Sequence, residues 1–186
     1  MRALRIDDLG ASTKEFEQWS RTRWANVGPF KRMPCWKAWG PYRELTASEI
    51  NRIVTAAFER DSQVTFAITA CWVERDGTPV PYPEKFPAQA EMIKTWMAAG
   101  TVEIVNHGLT HCRARFLPRF WSGNREMHRE FLAEMPKSVV RARLLLAQDI
   151  FTRWLGHAPG ILVPPGFVFP YGMDVGMRVW SKGEDR

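Results

Sequence analysis

The chain has 186 residues, of which 45% are hydrophobic and 12% aromatic, and 26 Lys and Arg residues against 20 Asp and Glu give a net charge of +6. This composition excludes an intrinsically disordered chain and is sufficient for one substantial core, so we expect a single folded domain. No segment approaches the roughly 18 consecutive apolar residues of a membrane span, and no secretory leader pattern precedes the first predicted strand, so we expect a cytoplasmic protein without a membrane span.

The basic residues and the cysteines favour neither a nucleic-acid partner nor a disulfide framework. The basic residues are scattered, without the aromatic spacing of an RNA-binding strand or a helix-turn-helix pattern, and this predicts a solvated basic surface and no nucleic-acid partner. The cysteines, Cys35, Cys71 and Cys112, are odd in number and have no CxxC spacing. We therefore expect reduced thiols.

The first predicted strand delivers two carboxylates at its end. Residues 3–6 are an apolar-rich run that stops at Asp7 and Asp8, as expected of a buried strand with both acids at its C-terminal end. Ser12 then offers the N-cap of a helix. Residues 27–42 are rich in Pro, Gly and Trp, which predicts a long irregular excursion.

Helices and strands alternate in the middle of the chain. Thr46 and Glu49 form a capping box at the start of a helix, and the β-branched and aromatic residues 64–70 predict a central strand. A Pro- and Gly-rich loop follows this strand. Apolar residues spaced three and four apart then predict a helix that stops at Gly100, followed at once by a strand over residues 102–105.

The last predicted elements complete an α/β pattern. Pro136 begins a helix that Gly156 closes, and residues 161–163 predict a final strand. The order of strands and helices predicts an α/β fold with a mostly parallel sheet, in one domain over residues 1–169. Residues 170–186 show no periodicity, so we expect an irregular C-terminal tail.

Polar motifs follow three of the predicted strands. Asp7 and Asp8 follow the first, His107 and His111 follow the third, and a Pro-Pro-Gly sequence at residues 164–166 follows the fourth. Ligand sites of parallel α/β sheets lie at the carboxyl ends of the strands. We therefore expect the three motifs to converge on one face.

Two histidines and an aspartate suit a metal ion that activates water for hydrolysis. His107 and His111, at positions i and i+4, can present two imidazoles from one turn, and one aspartate completes three protein ligands. Adjacent side chains of a strand point in opposite directions, so Asp7 and Asp8 are expected to have unequal roles, as base and as ligand. An isolated HxxxH or an isolated DD is often a surface or capping pattern. Their joint occurrence, each at the end of a predicted strand and in this order, favours the metal site.

These motifs resemble those of the polysaccharide deacetylase family, the NodB-homology domains of carbohydrate esterase family four. The family has a first motif ending in two aspartates, a second of the form H-[ST]-x-x-H and a third near R-x-P-x-G, lining a distorted (β/α) barrel. The corresponding segments here are residues 5–8 (RIDD), 107–111 (HGLTH) and 163–166 (VPPG). The resemblance extends over residues 3 to 169.

The resemblance implies both an activity and a set of site residues. It implies that Asp7 is the catalytic base and that Asp8, His107 and His111 bind one divalent cation, with Zn²⁺ expected and Co²⁺, Mn²⁺ or Ni²⁺ as alternatives. The implied activity is removal of an N- or O-linked acetyl group from a sugar of a polysaccharide or its precursor. The candidate substrate-binding residues are Pro164, Pro165, Gly166 and Phe167 of the third motif, and Trp121, which can stack on a sugar.

The sequence departs from the family pattern at three places. Gly108 replaces the usual Ser or Thr, and Val163 stands where the third motif has an Arg that positions the base. The chain also stops before the strands that bring the acetyl pocket and a general-acid histidine. We therefore expect an incomplete or distorted barrel, whose exposed edge a homo-oligomer would cover. The alternative function is an inactive carbohydrate-binding module, with four tryptophans as stacking platforms: Trp36, Trp39, Trp72 and Trp121.

Overall fold

The computed structural model describes residues 2–13, 43–74, 76–112, 130–131 and 135–167. These residues contain both strands and helices, as the sequence predicts. The elements are β1 (Arg2–Leu9), α1 (Ala47–Phe58), β2 (Ser62–Ile68), β3 (Cys71–Val73), β4 (Pro79–Pro81), α2 (Tyr82–Lys85), α3 (Pro87–Ala98), β5 (Val102–Asn106), α4 (Lys137–Leu155) and a 3-10 turn (Pro165–Phe167). None of the helices in these ranges is long and apolar enough to cross a bilayer.

A parallel three-stranded sheet carries the fold. Its order is β1-β2-β5, so β2 pairs with a parallel strand on each side. The pairing aligns Ile6 with Phe66 and Val64 with Val102. The α/β class and the parallel sheet are thereby confirmed. Within the described residues the sheet is open and does not close into a barrel.

The predicted fourth strand is reduced to a single bridge. Leu162 forms an isolated parallel bridge with Asn106, the last residue of β5. Two backbone hydrogen bonds flank it, from Asn106 N to Ile161 O at 2.9 Å and from Val163 N to Asn106 O at 2.8 Å. Residues 161–163 therefore lie beside the end of β5 without extending along it, because the chain turns away at consecutive prolines.

A short antiparallel hairpin occupies the segment predicted to be a loop. β3 pairs with β4 in the register that joins Cys71 to Pro81 and Val73 to Pro79. The two prolines cannot donate backbone hydrogen bonds, so this hairpin has few ladder bonds, and the same residues give the sequence its loop-like pattern. Tyr82 continues from the hairpin into α2 and is fully buried.

Helix ends follow the predicted capping residues. At the start of α1 the Thr46 hydroxyl accepts from Glu49 N at 3.3 Å, and Glu49 Oε2 accepts from Thr46 N at 2.9 Å, which confirms the capping box. Gly156 closes α4 with a φ of 84°, and Gly100 follows α3 with a φ of 75°. Both glycines adopt the left-handed conformation that side chains disfavour.

The core lies between the sheet and the helices. Phe66 of β2, Ile93 of α3 and Phe151 of α4 are all fully buried and belong to one apolar cluster. A smaller cluster joins Phe131 to Val140 and Leu144 of α4. This packing holds the strands in place and so determines the positions of the residues at their carboxyl ends.

Several predicted segments lie outside the described residues. They are most of the helix expected after Ser12, the excursion over residues 27–42 with Trp36 and Trp39, the position of Trp121, and the tail over residues 170–186.

Candidate metal centre

The end of β1 is irregular where the two aspartates lie. Ile6 pairs with Phe66 and Leu9 pairs with Ile68, so two residues of β1, Asp7 and Asp8, stand opposite one residue of β2. This extra residue is a β-bulge, which bends a strand and redirects side chains. Asp8 takes up the bend with a φ of 67°, a conformation that Asp tolerates better than most residues.

Asp8 meets both histidines of the second motif. Its Oδ1 lies 3.0 Å from His107 Nε2 and 2.9 Å from His111 Nε2. The candidate ligand atoms of the three residues all lie within 4.8 Å of one another. Both histidine side chains are buried, whereas the Asp8 side chain is 48% exposed. The cluster is thus covered by protein on the side of the histidines and accessible to solvent on the side of Asp8.

The hydrogen bonds of His107 leave its Nε2 turned toward a carboxylate. His107 Nδ1 lies 2.7 Å from Val163 O, and a carbonyl oxygen can only accept, so Nδ1 carries the hydrogen. In the neutral ring Nε2 is then an acceptor, and it faces Asp8 Oδ1. Two acceptors this close need a positive charge between them, from a second proton or from a metal ion.

The donor set fits a divalent metal ion. Two imidazole nitrogens and one carboxylate oxygen are a ligand combination found at catalytic zinc sites, where a fourth position stays open to water or substrate. The exposed side of Asp8 offers such an opening. The residues present are therefore able to hold the cation that the sequence predicts.

The charge state of Asp8 suits the same purpose. Burial alone raises the pKa of the Asp8 carboxyl, but its hydrogen bonds with His107 and His111, and the charge that these rings carry when protonated, hold this pKa well below its usual range. Asp8 is therefore a carboxylate at neutral pH, the form that binds metals.

Asp7 has a different partner. Arg5 Nη2 donates to Asp7 Oδ2 at 2.9 Å, and Arg5 Nε lies 2.9 Å from Asp7 Oδ1 without hydrogen-bond geometry. Asp7 is not part of the Asp8, His107 and His111 cluster. The two aspartates therefore differ in environment, in line with the unequal roles that the sequence predicts; the roles themselves stay predictions.

The third motif lies against the second. Besides the contact of Val163 O with His107, Pro165 is buried beside Gly108, so that a Cβ placed on Gly108 would stand 2.8 Å from Pro165 Cγ. Gly166 has a φ of 62° within the 3-10 turn that ends at Phe167. The predicted convergence of the three motifs is thus observed. The substrate-binding role of Pro164, Pro165, Gly166 and Phe167 stays a prediction.

Two residues that contact the loop of residues 107–111 are not identified from the sequence. Glu130 is fully buried and accepts hydrogen bonds from backbone amides of residues 109–111, and Arg143 of α4 contacts its carboxylate. The available signal is the position of Arg143, which falls on the buried face of α4 between Val140 and Ala147. A charge on an apolar helical face indicates a buried partner of opposite sign.

One predicted sugar platform is wrong. Trp72 of β3 is only 4% exposed, and its ring meets Phe86 edge-on at a centroid distance of 5.1 Å. A side chain packed in this way has no free face for a sugar ring. Trp72 is a core residue, and the described part of the chain offers no support for the inactive carbohydrate-binding module.

Solved structures with this fold exist, although no family model and no curated protein sequence matches the chain. IcaB from Ammonifex degensii is 14% identical, with a TM-score of 0.53 over 96% of this chain and 79% of that one. A protein of Mycobacterium smegmatis whose name places it among the polysaccharide deacetylases is 16% identical, with a TM-score of 0.50 over 97% of this chain and 47% of that one. The predicted resemblance to polysaccharide deacetylases is confirmed at the level of the fold.

Proposed function

We propose, from the fold that this chain shares with polysaccharide deacetylases, that it is a metal-dependent hydrolase that removes an acetyl group from a sugar. The sugar would belong to a polysaccharide or to its precursor, and the acetyl group would be N- or O-linked. The observation that carries the proposal is the convergence of donor atoms from Asp8, His107 and His111. The described strands would be the first part of an incomplete or distorted (β/α) barrel.

Asp8, His107 and His111 would hold one divalent cation, for which zinc is the expected ion. When bound, such a cation supplies a Lewis acid that polarises the acetyl carbonyl and lowers the pKa of water. Asp8 lies near the end of β1, and His107 and His111 lie in the loop that follows β5, so the sheet brings the ligand set together.

Asp7 would act as the base. It would take a proton from the attacking water while the water oxygen bonds to the acetyl carbon. The bond from that carbon to the sugar nitrogen or oxygen then breaks, the departing sugar atom gains a proton in place of the one that the water gave to Asp7, and acetate is released. Arg5 would hold the Asp7 carboxylate in place through the contacts described above.

Acetate release from the zinc-loaded full chain tests this proposal. The substrates are an N-acetylated oligosaccharide and an O-acetylated polysaccharide, and the product is measured by a coupled acetate assay. We expect Asp7→Asn to retain zinc and to lose roughly 100-fold or more in rate, because general-base catalysis is worth about that much. We expect the double substitution His107→Ala, His111→Ala to lose zinc. A wild-type chain that binds zinc stoichiometrically and releases no acetate from either substrate would contradict the proposed activity.

A further inference from the structure

One buried carboxylate holds the loop that carries both histidines. Glu130 Oε1 accepts from Leu109 N at 3.1 Å, and Oε2 accepts from Thr110 N at 3.0 Å and from His111 N at 3.1 Å. The Glu130 side chain is fully buried. Three consecutive amides directed at one carboxylate give charge-assisted hydrogen bonds, which are stronger than bonds between neutral groups.

Arg143 balances the charge of this carboxylate. Its Nε donates to Glu130 Oε1 at 2.9 Å, and its Nη2 donates to the Thr110 hydroxyl. The Thr110 hydroxyl in turn donates to Cys112 O at 2.7 Å. Arg143 therefore connects α4 to the loop both through Glu130 and directly. A buried carboxylate needs such compensation, because its desolvation is costly when it stands alone.

The loop leaves room for this carboxylate at Gly108. Gly108 has a φ of 88°, and a Cβ on it would clash with Glu130 Oε2 and stand 2.8 Å from Pro165 Cγ. The Glu130 carboxylate therefore takes the place that a side chain at position 108 would need. His111 has a φ of 57°, a conformation that is unfavourable for a residue other than glycine and persists only where the surroundings enforce it.

We infer that Glu130 is a positioning residue of the metal centre, since it holds the backbone of residues 109–111 in the shape that aims His111 Nε2 at Asp8. The inference rests on the proposed function, because it assigns Glu130 a role toward the cation of that site. Glu130 does not itself reach the ligand atoms; it contacts the backbone amide of a ligand. Its effect is therefore on ligand geometry.

Zinc affinity of Glu130→Gln is the first measurement, by chelator competition on the full chain. Glutamine keeps the shape of glutamate but turns one acceptor into an NH₂ donor, which would face a backbone amide. We expect roughly 10–100-fold weaker zinc binding, the size of effect that residues supporting metal ligands have. We also expect a changed visible absorption spectrum for the cobalt-loaded variant, because that spectrum reports ligand geometry. Circular dichroism of the metal-free variant monitors folding.

Glu49→Gln is the matched control. Glu49 also accepts from a backbone amide, Thr46 N at 2.9 Å, and also pairs with an arginine, Arg43, but it does so at the start of α1. Glu49→Gln should leave the zinc affinity and the spectrum of the cobalt-loaded chain unchanged. If Glu130→Gln does not fold, Arg143→Lys is measured in its place. The Arg143 guanidinium is partly exposed, so it can be replaced while Glu130 stays. We expect this variant to lose zinc affinity, but less than Glu130→Gln.

The outcomes separate this inference from the proposed function. A wild-type chain that binds no zinc overturns both. A wild-type chain that binds zinc, together with a folded Glu130→Gln that binds it equally well with the same cobalt spectrum, overturns the role of Glu130 alone. Weaker zinc binding by a folded Glu130→Gln, with Glu49→Gln unchanged, supports it.

Discussion

Arg5 and Asp7 lie two positions apart on β1, and the Arg5 guanidinium lies 2.9 Å from each oxygen of the Asp7 carboxylate. Side chains two positions apart on a strand share a face, so β1 itself places them together. The resemblance to polysaccharide deacetylases leads to the expectation of an arginine at position 163 for the base, where this chain has Val163. The structure supplies a guanidinium to Asp7 from Arg5 instead.

Under the proposed function, Arg5→Gln should lower kcat for acetate release by roughly 10–100-fold, because the proposed base Asp7 would lose the benefit of orientation when displaced. The KM and the zinc affinity should stay unchanged, since Arg5 contacts Asp7 and none of the three proposed ligands. Arg5→Lys should restore part of the rate. The Arg5 side chain is 48% exposed, so its ion pair should contribute only about 0–1 kcal/mol to the free energy of unfolding. An unchanged kcat in Arg5→Gln would show that Asp7 needs no such partner.

Gly108→Ala should be much more destabilising than Gly100→Ala, although both glycines have positive φ values, 88° and 75°. A Cβ at position 100 meets nothing within 4 Å, so that variant should lose only about 1–2 kcal/mol for its left-handed backbone. At position 108 the clash with Glu130 and Pro165 adds about 1–3 kcal/mol. Urea denaturation of both variants gives the difference. Equal losses would mean that Glu130 can move aside.

Phe151→Ala should lower the free energy of unfolding by about 3–5 kcal/mol, because Phe151 is fully buried in the main apolar cluster and its removal leaves a cavity. Phe58→Ala is the matched control. Phe58 is 61% exposed at the end of α1, so the same substitution should cost far less. Thermal or urea unfolding of the two variants measures the contrast, and similar losses would argue against the described core.

Cys71 and Cys112 should resist alkylation in the folded chain. Burial raises the pKa of the Cys71 thiol to about 12 and that of the Cys112 thiol to about 11. Because the reactive species is the thiolate, iodoacetamide at about pH 8 should label these two positions only after denaturation, as peptide mass spectrometry can show. Rapid labelling without denaturant would contradict the burial of these side chains.

The same raised pKa values predict a pH dependence of stability. For both thiols the folded-state pKa lies above the ordinary value of 9.0, so the folded state favours the neutral thiol. The resulting stability is complete below pH 9.0 and is lost as the pH rises toward about 11 or 12. Urea midpoints measured across this range should fall, and Cys112→Ala should fall less steeply than the wild-type chain.

Local sequence signals predict the elements that local physics determines. The capping box of Thr46 and Glu49 and the closing glycine at position 156 act within a few residues of their own positions, and both are found as predicted. The β3–β4 hairpin is missed because Pro79 and Pro81 dominate the local pattern, while the contacts that hold it are distant in sequence. One of these is the bond from Tyr82 N to Ala70 O.

The residues of the candidate site also fall into two groups, those that a local sequence signal marks and those that it does not. Asp8, His107 and His111 can be located because each follows a predicted strand, and parallel strands bring their ends to one edge. Glu130 has no such marker: it lies in no predicted strand or helix, and only the folded chain brings it to the amides of residues 109–111. The pairing of Arg5 with Asp7 follows from the alternation of side chains between the two faces of a strand, once β1 is known to include both residues.

The order of the sheet also determines when the site can form during folding. Asp8 and His107 are 99 positions apart, on β1 and directly after β5, and within the described sheet these strands are joined only through β2. Both strand pairings must exist before the ligand atoms converge, so no partly folded chain that lacks one pairing can hold a cation there. A bound cation would therefore link the two outer strands of the described sheet, β1 and β5, and unfolding of either one would have to release it. Free zinc should then raise the apparent stability of the whole sheet by mass action.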